Sequence, residues 1–272
     1  MRDIPLVELL KSGVHFGHHV SRWHPKMRPF IYTSRAGVYI VDLEKTSEQL
    51  KRSQEFIRDT VAKGGTVLFV GTKRQARPII QSLATKVGMP YVIERWLGGT
   101  FTNFPTISKM TKRLTHLKEE RASGHLDKYT KKEQLTFNDE IVRLEKLVGG
   151  IERMLKIPEV IFVVDAKQEK TSVKEAQKTK VPIVALVDTN VNPEGIAYPI
   201  PANDDATKSI SLLTEAIAEA VEEGTRLRPS NAVAVPDVPA PSTVQNVPSS
   251  TKIPEGVVAS NPLSSIQKEG AL

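Results

Sequence analysis

The sequence of 272 residues contains no cysteine, which excludes disulfide bonds, thiolate zinc sites, iron–sulfur clusters and cysteine nucleophiles. It has no apolar run near the roughly 20 residues that a membrane-spanning helix needs, and its first residues lack the apolar stretch of a signal peptide. Aromatic residues make up only 6%, with two tryptophans. These absences predict a cytoplasmic protein that has no membrane partner.

Positive charge is in excess, and it lies in the first 228 residues. The chain has 38 lysines and arginines against 31 aspartates and glutamates, a net charge of +7. Residues 1–228 hold 36 of the basic and 28 of the acidic residues, a net of +8, which favours a polyanionic partner. Residues 229–272 carry seven of the 18 prolines and no aromatic residue, which predicts a disordered tail.

Short apolar runs rich in β-branched residues alternate with helix-length segments along most of the chain. The runs occupy residues 38–41, 66–70, 91–93, 160–164 and 183–187. Helical segments are predicted at about 44–62, 73–87, 170–179 and 205–223. Continuous apolar runs indicate strands that are buried on both faces, and the β-α-β alternation predicts an α/β fold with a parallel sheet and right-handed crossovers.

One connection, from Ile93 to Val160, is far longer than the usual loop of two to six residues. Apolar residues recur there in steps of three and four on either side of a turn, which predicts an antiparallel coiled-coil hairpin. This hairpin carries 12 basic against 8 acidic residues and is expected to project from the sheet. The predicted regions are an N-terminal helix and basic loop at 1–36, an α/β domain at 37–104 and 157–228, the hairpin at 105–156 and the tail at 229–272.

Cationic and aromatic residues are interleaved in the N-terminal run 15–30. This run holds four histidines, three cations and three large aromatic residues. The mixture suits phosphate neutralisation together with stacking on unstacked bases, although a loop whose rings pack under the sheet is an open alternative. The histidines have no cysteine or acid at ligand spacing within the run, so no metal site is predicted.

Two more basic loops follow predicted strands. Residues 71–74 form a glycine turn before a helix, where backbone N–H groups favour a phosphate, but the spacing matches neither the P-loop nor the dinucleotide fingerprint. Residues 95–103 combine Arg95 and Trp96 with a double glycine, and a tight hinge that launches the next helix is the alternative interpretation. Both tryptophans thus occupy basic loops, which favours a nucleic-acid surface.

Aspartates at strand ends indicate a different chemistry. Asp42, Asp165 and Asp188 each follow a predicted strand, and the carboxyl ends of parallel strands share the edge where α/β enzymes bind ligands. A divalent-cation or acid/base site is therefore an open alternative, although such aspartates commonly cap the next helix. Because an acidic edge repels phosphates, we expect RNA to favour the N-terminal run, the corner at 73–74 and the hairpin.

Nine short blocks stand out in order between residues 6 and 224. They are residues 13–18, 23–27, 69–73, 95–99 with 102–103, 149–151, 158–165, 174–176, 188–190, and 200–201 with 203–205. Together they resemble the bacterial-type small-subunit ribosomal protein two family. The resemblance implies a flavodoxin-like three-layer α/β/α domain with a protruding antiparallel coiled-coil helical hairpin. It also implies binding to small-subunit rRNA at the head–body junction, in the cytoplasmic ribosome, and docking of the large messenger-binding ribosomal protein beside neighbouring small-subunit proteins.

The sequence therefore predicts a structural RNA-binding protein with no catalytic residue, cofactor or metal, and no homo-oligomer is expected. A small α/β enzyme or phosphate-ligand-binding protein is the main alternative, and a purely protein-binding adaptor is a second. Removal of one phosphate-binding cation, as in Lys26→Ala or Lys73→Ala, is expected to lower the salt slope of log K by about one. The predicted RNA-binding residues are Lys11, His15, His18, Arg22, Trp23, Lys26, Arg28, Lys73, Arg74, Arg95, Trp96, Thr102, Asn103, Lys109, Lys112, Arg113, Lys131 and Lys132.

Overall fold

A computed structural model describes residues 3–228, and its elements follow the predicted α/β alternation. The helices are α1 (Leu6–Lys11), α2 (Leu43–Ala62), α3 (Arg77–Lys86), α4 (Phe104–Ala122), α5 (Lys131–Val148), α6 (Lys170–Thr179) and α7 (Thr207–Arg226). The strands are β1 (Phe16–His19), β2 (Ile31–Arg35), β3 (Val38–Val41), β4 (Val67–Val70), β5 (Tyr91–Val92), β6 (Val160–Val164), β7 (Ile183–Val187) and β8 (Tyr198–Pro201). No helix within residues 3–228 has the length and apolar character to span a membrane. The predicted tail lies outside the described residues.

Five parallel strands form the central sheet in the order β5-β4-β6-β7-β8. Because β4 lies between β5 and β6, counting these strands along the chain gives the order 2-1-3-4-5, which is that of flavodoxin-like folds. The register places Phe69 beside Phe162, and their rings meet edge to face at a centroid distance of 5.5 Å. The parallel sheet predicted from the apolar runs is confirmed.

Helices cover both faces of this sheet. Successive side chains along a strand point to opposite faces, so Phe69 and Phe162 pack with α2, α3 and α7 in one apolar cluster. Their neighbours Leu68 and Ile161 pack with α4, α5 and α6 in a second cluster on the other face. Strands buried on both sides explain why the sequence shows continuous apolar runs rather than alternation. The arrangement is a three-layer α/β/α fold.

Four strands differ from the prediction: β1, β2 and β8 are absent from it, and β3 belongs to another sheet. The run 38–41 forms β3, but β3 pairs antiparallel with β1 and β2 in a separate sheet. The fifth parallel strand is β8, which contains Pro199 and Pro201. Proline cannot donate a ladder hydrogen bond, and β8 tolerates two of them because it is an edge strand with one neighbour. These prolines hide the strand from a search for apolar runs.

The N-terminal segment folds as a three-stranded antiparallel sheet in the order β1-β3-β2. The hairpin between β2 and β3 turns at Ala36 and Gly37, whose φ values are +50° and +76°, and Arg35 pairs with Val38 across it. Two consecutive residues with positive φ form the turn whose twist suits a two-residue hairpin. The sheet therefore continues to Val41, past the boundary predicted at residue 36.

The long connection between β5 and β6 contains α4 and α5, so the two predicted helices are confirmed. Ion pairs join them, from Arg113 to Glu140 and from Lys118 to Glu145, each at 3.1 Å. In an antiparallel seam, a residue further along α4 meets a residue earlier in α5, so the separation in sequence shrinks toward the turn. Both of these ion pairs instead join residues 27 positions apart, so they do not trace such a seam. The projecting antiparallel coiled coil stays a prediction.

Candidate nucleic-acid interface

The three predicted basic segments meet at one edge of the central sheet. The loops that contain Lys73 and Arg95 follow β4 and β5, and the carboxyl ends of parallel strands share one edge. The N-terminal segment contacts the loop after β7, where the backbone N–H groups of His18 and His24 donate to the hydroxyl and the carbonyl of Thr189, both at 2.8 Å. Segments that are distant in sequence are thus gathered at one end of the α/β domain.

The N-terminal sheet is a cationic surface. Residues 9–41 contain five lysines and arginines and no aspartate or glutamate. Lys26 forms an ion pair with Glu194. The other four cations are exposed and have no ion-pair partner within the part of the chain that the structure describes; they are Lys11, Arg22, Arg28 and Arg35. Exposed cations without an acidic partner are available to neutralise phosphate groups.

Aromatic rings lie among these cations. Trp23 packs against Tyr39 of β3 with ring centroids 5.1 Å apart, and both residues are half-buried. Tyr32 of β2 is 76% exposed. His15 packs on Phe16 at 4.0 Å, and its partial burial lowers the pKa of the imidazole. His15 therefore contributes a ring rather than a charge at neutral pH.

His18 belongs to an acidic cluster rather than to the cationic surface. Its Nδ1 lies 3.0 Å from Asp188 Oδ2, and its Nε2 lies 3.6 Å from Asp205 Oδ2. The hydrogen bond to Asp188 raises the pKa of His18, burial opposes this, and the charges of Asp188, Asp204 and Asp205 add to it. Among the described residues, His18, Asp188 and Asp205 are the one group of side chains whose ligand atoms, all within 4.8 Å of one another, could hold a metal ion. The acids come from the loops after β7 and β8, which the histidine spacing alone does not reveal.

Lys73 also lies in the acidic cluster, which corrects the predicted separation of the 73–74 corner from the aspartate edge. Its ammonium lies 3.3 Å from Asp165, 2.7 Å from Asp204 and 2.6 Å from Asp205, and the side chain is only 14% exposed. Burial disfavours the charged ammonium, but the hydrogen bonds to Asp204 and Asp205 and the charges around it raise the pKa of Lys73. Lys73 thus neutralises the protein's own carboxylates, and its contact with RNA stays a prediction.

The glycine turn after β4 is occupied by protein groups. The helix that follows begins at Arg77 rather than at Lys73 and has Pro78 in its first turn. The backbone N–H of Thr72 donates to the Glu169 carboxylate at 3.1 Å, and the Thr72 hydroxyl contacts the same oxygen. This crevice between β4 and β6 is the switch point of strand order, where flavodoxin-like folds bind ligands. Because side chains fill it, the structure disfavours the alternative of a small α/β enzyme or phosphate-ligand binder.

Glu175 organises the loop at 95–103. Its buried carboxylate accepts hydrogen bonds from the backbone N–H groups of Gly99 at 2.7 Å, Phe101 at 2.9 Å and Thr102 at 3.2 Å, and from the indole N–H of Trp96 at 3.3 Å. Burial favours a higher pKa for Glu175, but these donors outweigh it and lower the pKa. Trp96 is 7% exposed. The geometry therefore favours the tight hinge over a base-stacking role for Trp96.

The other predicted residues of the loops and helices occupy exposed positions. They are Arg74, Arg95, Thr102, Asn103, Lys109, Lys112, Arg113, Lys131 and Lys132. Arg113 donates two hydrogen bonds to the Glu140 carboxylate, at 3.1 and 3.2 Å. The remaining six cations of this set form no ion pair within residues 3–228. All nine are accessible to a large ligand, and RNA contact at each stays a prediction.

Sequence reasoning missed the carboxylates and the strand residues that shape this region. Glu169 and Glu175 lie at the start of α6 and inside it, and their local sequence is that of an ordinary solvated helix. The inclusion of Glu175 in the block 174–176 is the one signal that marks it. Arg35 and Tyr39 flank the turn between β2 and β3, and their importance depends on strand pairing that the sequence alone does not display.

Known proteins resemble this chain over most of its length. The family described as Ribosomal protein S2 matches residues 9–224. The small ribosomal subunit protein uS2 of Acidothermus cellulolyticus is 50% identical over 229 residues, which cover 84% of this chain and 83% of the relative. The protein of the same name from Micrococcus luteus is 50% identical over 82% of this chain and 79% of its own length. That from Nocardia farcinica is 49% identical over 84% of this chain and 80% of its own length. The resemblance drawn from nine short blocks is thus confirmed, and the chain belongs to the ribosomal protein S2 family.

Proposed function

We propose that this protein is a structural, non-enzymatic component of the cytoplasmic small ribosomal subunit, and that it binds small-subunit rRNA mainly through phosphate contacts. Its relatives are named as proteins of that subunit. The observation that carries the RNA-binding step is the segment 9–41, which contains no acid and presents four exposed cations that have no ion-pair partner within residues 3–228. Such a surface attracts a polyanion and releases its counterions.

The acidic cluster restricts how RNA approaches. Asp165, Asp188, Asp204 and Asp205 lie at the same edge of the sheet as the basic loops, and they repel phosphates. Lys73 and His18 offset part of this negative charge internally. RNA therefore approaches from the N-terminal sheet and from the exposed lysines of α4 and α5, which we propose lie at the head–body junction with the helix pair as a projecting arm.

A protein partner is part of the proposal, because the N-terminal region also exposes an apolar surface. Leu6, Val7 and Leu10 of α1 are exposed, and so is Phe16 at the start of β1. Exposed apolar side chains that are close in sequence on one short helix favour contact with another protein. The resemblance implies the large messenger-binding ribosomal protein, and we propose that this apolar surface takes part in its docking beside the neighbouring small-subunit proteins.

The test is co-sedimentation of the full chain with small ribosomal subunits that lack it. The double variant Arg22→Ala/Arg28→Ala removes two exposed cations between β1 and β2, and Lys51→Ala/Lys63→Ala removes two from α2 and the residue after its end; none of the four has an ion-pair partner within residues 3–228. We expect the first variant to bind about tenfold or more weakly and the second to bind within about twofold of wild type, because phosphate contacts dominate affinity. Equal affinity of the two variants for the subunit would contradict the proposed RNA surface.

A second arm separates RNA binding from a purely protein-binding role. Purified small-subunit rRNA, free of protein, is titrated with the chain, and the docking of the large messenger-binding protein is assayed with Leu6→Ser/Leu10→Ser. We expect the rRNA to bind wild type and the serine variant alike, and only the docking step to fail in the serine variant. Retention of every partner after ribonuclease treatment would favour the adaptor alternative instead.

A further inference from the structure

A small cavity lies on the N-terminal sheet, and no residue of the acidic cluster lines it. Its lining residues are Trp23, Arg28, Ile31, Thr33, Ser34 and Tyr39, and we call it the Trp23 groove. Its volume is about 250 Å³, below the roughly 300–1,000 Å³ of pockets that enclose a drug-sized ligand. The groove is therefore suited to a single flat group that enters from one side and stays attached to something larger outside.

The lining combines two aromatic rings with one cation. The rings of Trp23 and Tyr39 are tilted by 46° at a centroid distance of 5.1 Å, and both residues remain partly accessible. Arg28 is exposed and has no ion-pair partner within residues 3–228. Ser34 on β2 pairs with Tyr39 across the strands, so its hydroxyl lies on the same face as that ring and adds a group that both donates and accepts hydrogen bonds.

The charge around the groove selects the kind of occupant. No carboxylate lines it, and no aspartate or glutamate occurs between Glu8 and Asp42. The Asp42 carboxylate is already used, since it accepts the backbone N–H groups of Glu44 and Lys45 at the start of α2. An apolar protein side chain would use only the rings of Trp23 and Tyr39. A nucleotide carries both a flat base, which suits these rings, and a phosphate, which suits Arg28. A base within a duplex has no open face, so the nucleotide must be unpaired.

We propose that the Trp23 groove holds one unpaired nucleotide of folded RNA, with its base against Trp23 and Tyr39 and its phosphate on Arg28. Ser34, which pairs with Tyr39 across the strands and shares its face, then lies toward the ribose, whose 2′-hydroxyl distinguishes RNA from DNA. This inference rests on the proposed function and deepens it, because it assigns one nucleotide-binding position within the cationic surface. Stacking on aromatic rings tolerates any base, so the position recognises an exposed nucleotide rather than a sequence.

The experiment compares full-length variants on small subunits that lack the protein, with chemical footprinting of base and 2′-hydroxyl reactivity as the readout. Tyr39→Leu removes a groove ring, and Tyr39→Phe, which keeps the ring, is the matched control. We expect Tyr39→Leu to bind about tenfold more weakly and to expose one unpaired nucleotide that wild type protects. Tyr39→Phe is expected to bind within about twofold of wild type.

A separate measurement tests the contact of Arg28 with a phosphate. Arg28→Ala is expected to lower the salt slope of log K by about one and to expose the same nucleotide, whereas Tyr39→Leu leaves the slope unchanged. Lys51→Ala is the matched control, because Lys51 is exposed on α2 and has no ion-pair partner within residues 3–228, and it leaves both readouts unchanged. Millimolar adenosine monophosphate is expected not to displace the RNA, and displacement would mean that the groove binds free nucleotides.

The outcomes separate this inference from the proposed function. In one outcome, wild type binds the subunit without protecting any unpaired nucleotide that becomes exposed in Tyr39→Leu and Arg28→Ala. That result overturns the groove assignment, and the RNA-binding function stands. If wild type does not bind rRNA at all, the proposed function itself fails. Thermal unfolding of each variant is measured in parallel, and Arg28→Ala, a change at an exposed residue, decides the question where Tyr39→Leu is poorly folded.

Discussion

Two buried carboxylates show how the surroundings of a residue set its chemistry. Glu175 faces hydrogen-bond donors, and its pKa is lowered although burial opposes this. Asp204 faces other acids, and burial together with the charges of Asp165 and Asp188 raises its pKa to about 7, despite the attraction of Lys73. The first carboxylate stabilises the fold as an anion, and the second stabilises it most when it is protonated.

We expect Glu175→Gln to destabilise the protein by about 1–3 kcal/mol, because an amide replaces one acceptor oxygen with a donor that faces backbone N–H groups. A folded-state pKa below the usual value means that this carboxylate stabilises the fold above about pH 4.5 and that the contribution disappears as the pH falls. Urea unfolding between pH 3 and 7 measures both effects. Lys178→Gln, on the exposed side of α6, is the control and should change neither.

Lys73→Met tests the acidic cluster. The change leaves Asp165, Asp204 and Asp205 without their shared cation, and breaking such a buried pair costs about 3–5 kcal/mol. Lys73 lowers the pKa of Asp204, so the variant is expected to raise that pKa further. At pH 5 Asp204 is protonated and needs no cation, whereas at pH 8 it is charged. The loss of stability is therefore expected to be larger at pH 8 than at pH 5. Urea midpoints at the two pH values measure the difference. A penalty that is equal at both would show that Asp204 does not titrate in this range.

At the scale of elements, the N-terminal sheet depends on its contact with the loop after β7. Gly17 lies in β1, and a Cβ built there would lie 2.5 Å from Thr189 Cγ2 and 3.0 Å from the carbonyl oxygen of Tyr39. Thr189 is fully buried and bound to His18 and Asp188, so it has little freedom to move aside. The close approach of β1 to this loop therefore requires glycine at position 17.

Gly17→Ala is expected to cost about 1–3 kcal/mol through overpacking and to separate β1 from the loop at 188–190. Limited proteolysis should then cut within residues 15–41 faster than in wild type, and unfolding should begin at lower urea concentration. Gly98→Ala is the matched control, since its Cβ would meet no atom within 4 Å. Wild-type proteolysis rates in Gly17→Ala would show that the sheet accommodates the methyl group.

At the scale of the whole molecule, the charges form a divided surface. Within residues 3–228, the cations of the N-terminal segment and of α4 and α5 mostly form no ion pair, whereas Lys73 at the sheet's carboxyl edge is neutralised by carboxylates. The net charge of +8 on residues 1–228 therefore understates how strongly charge is concentrated on particular faces. Affinity for RNA depends on this distribution because phosphate contacts are local and are screened beyond about 8 Å at physiological salt.

The salt dependence of rRNA binding measures which cations contact phosphates. Arg22→Ala is expected to lower the slope of log K against log salt by about one, because an unpaired cation releases a counterion when it binds phosphate. Lys73→Met is expected to leave the slope unchanged, since its ammonium is already paired with three carboxylates. This differs from the expectation drawn from sequence, which treated both kinds of cation alike. A reduced slope for Lys73→Met would place its ammonium on RNA.

Patterns with short range in sequence predicted the elements well. Apolar runs predicted β4, β6 and β7, and spacing in steps of three and four predicted α4, α5 and α7, because each pattern reports the burial of one element. The errors concern pairing partners, as in the sheet of β3 with the unpredicted β1 and β2, and edge prolines, as in the omission of β8. Likewise, Arg22 and Arg28 are exposed as expected, but the setting of Lys73 depends on Asp204 and Asp205, which lie 131 and 132 positions away.

The amino-acid sequence by itself determined the fold class, the helix pair and the excess of positive charge, because periodicity and composition need no knowledge of long-range contacts. Only the tertiary structure decided which cations remain available. Carboxylates from separate loops converge on Lys73, Glu175 occupies the loop around Trp96, and β3 brings Tyr39 to Trp23. A charge or ring acts through what lies within a few ångströms of it, and those neighbours are set by chain topology rather than by distance along the sequence.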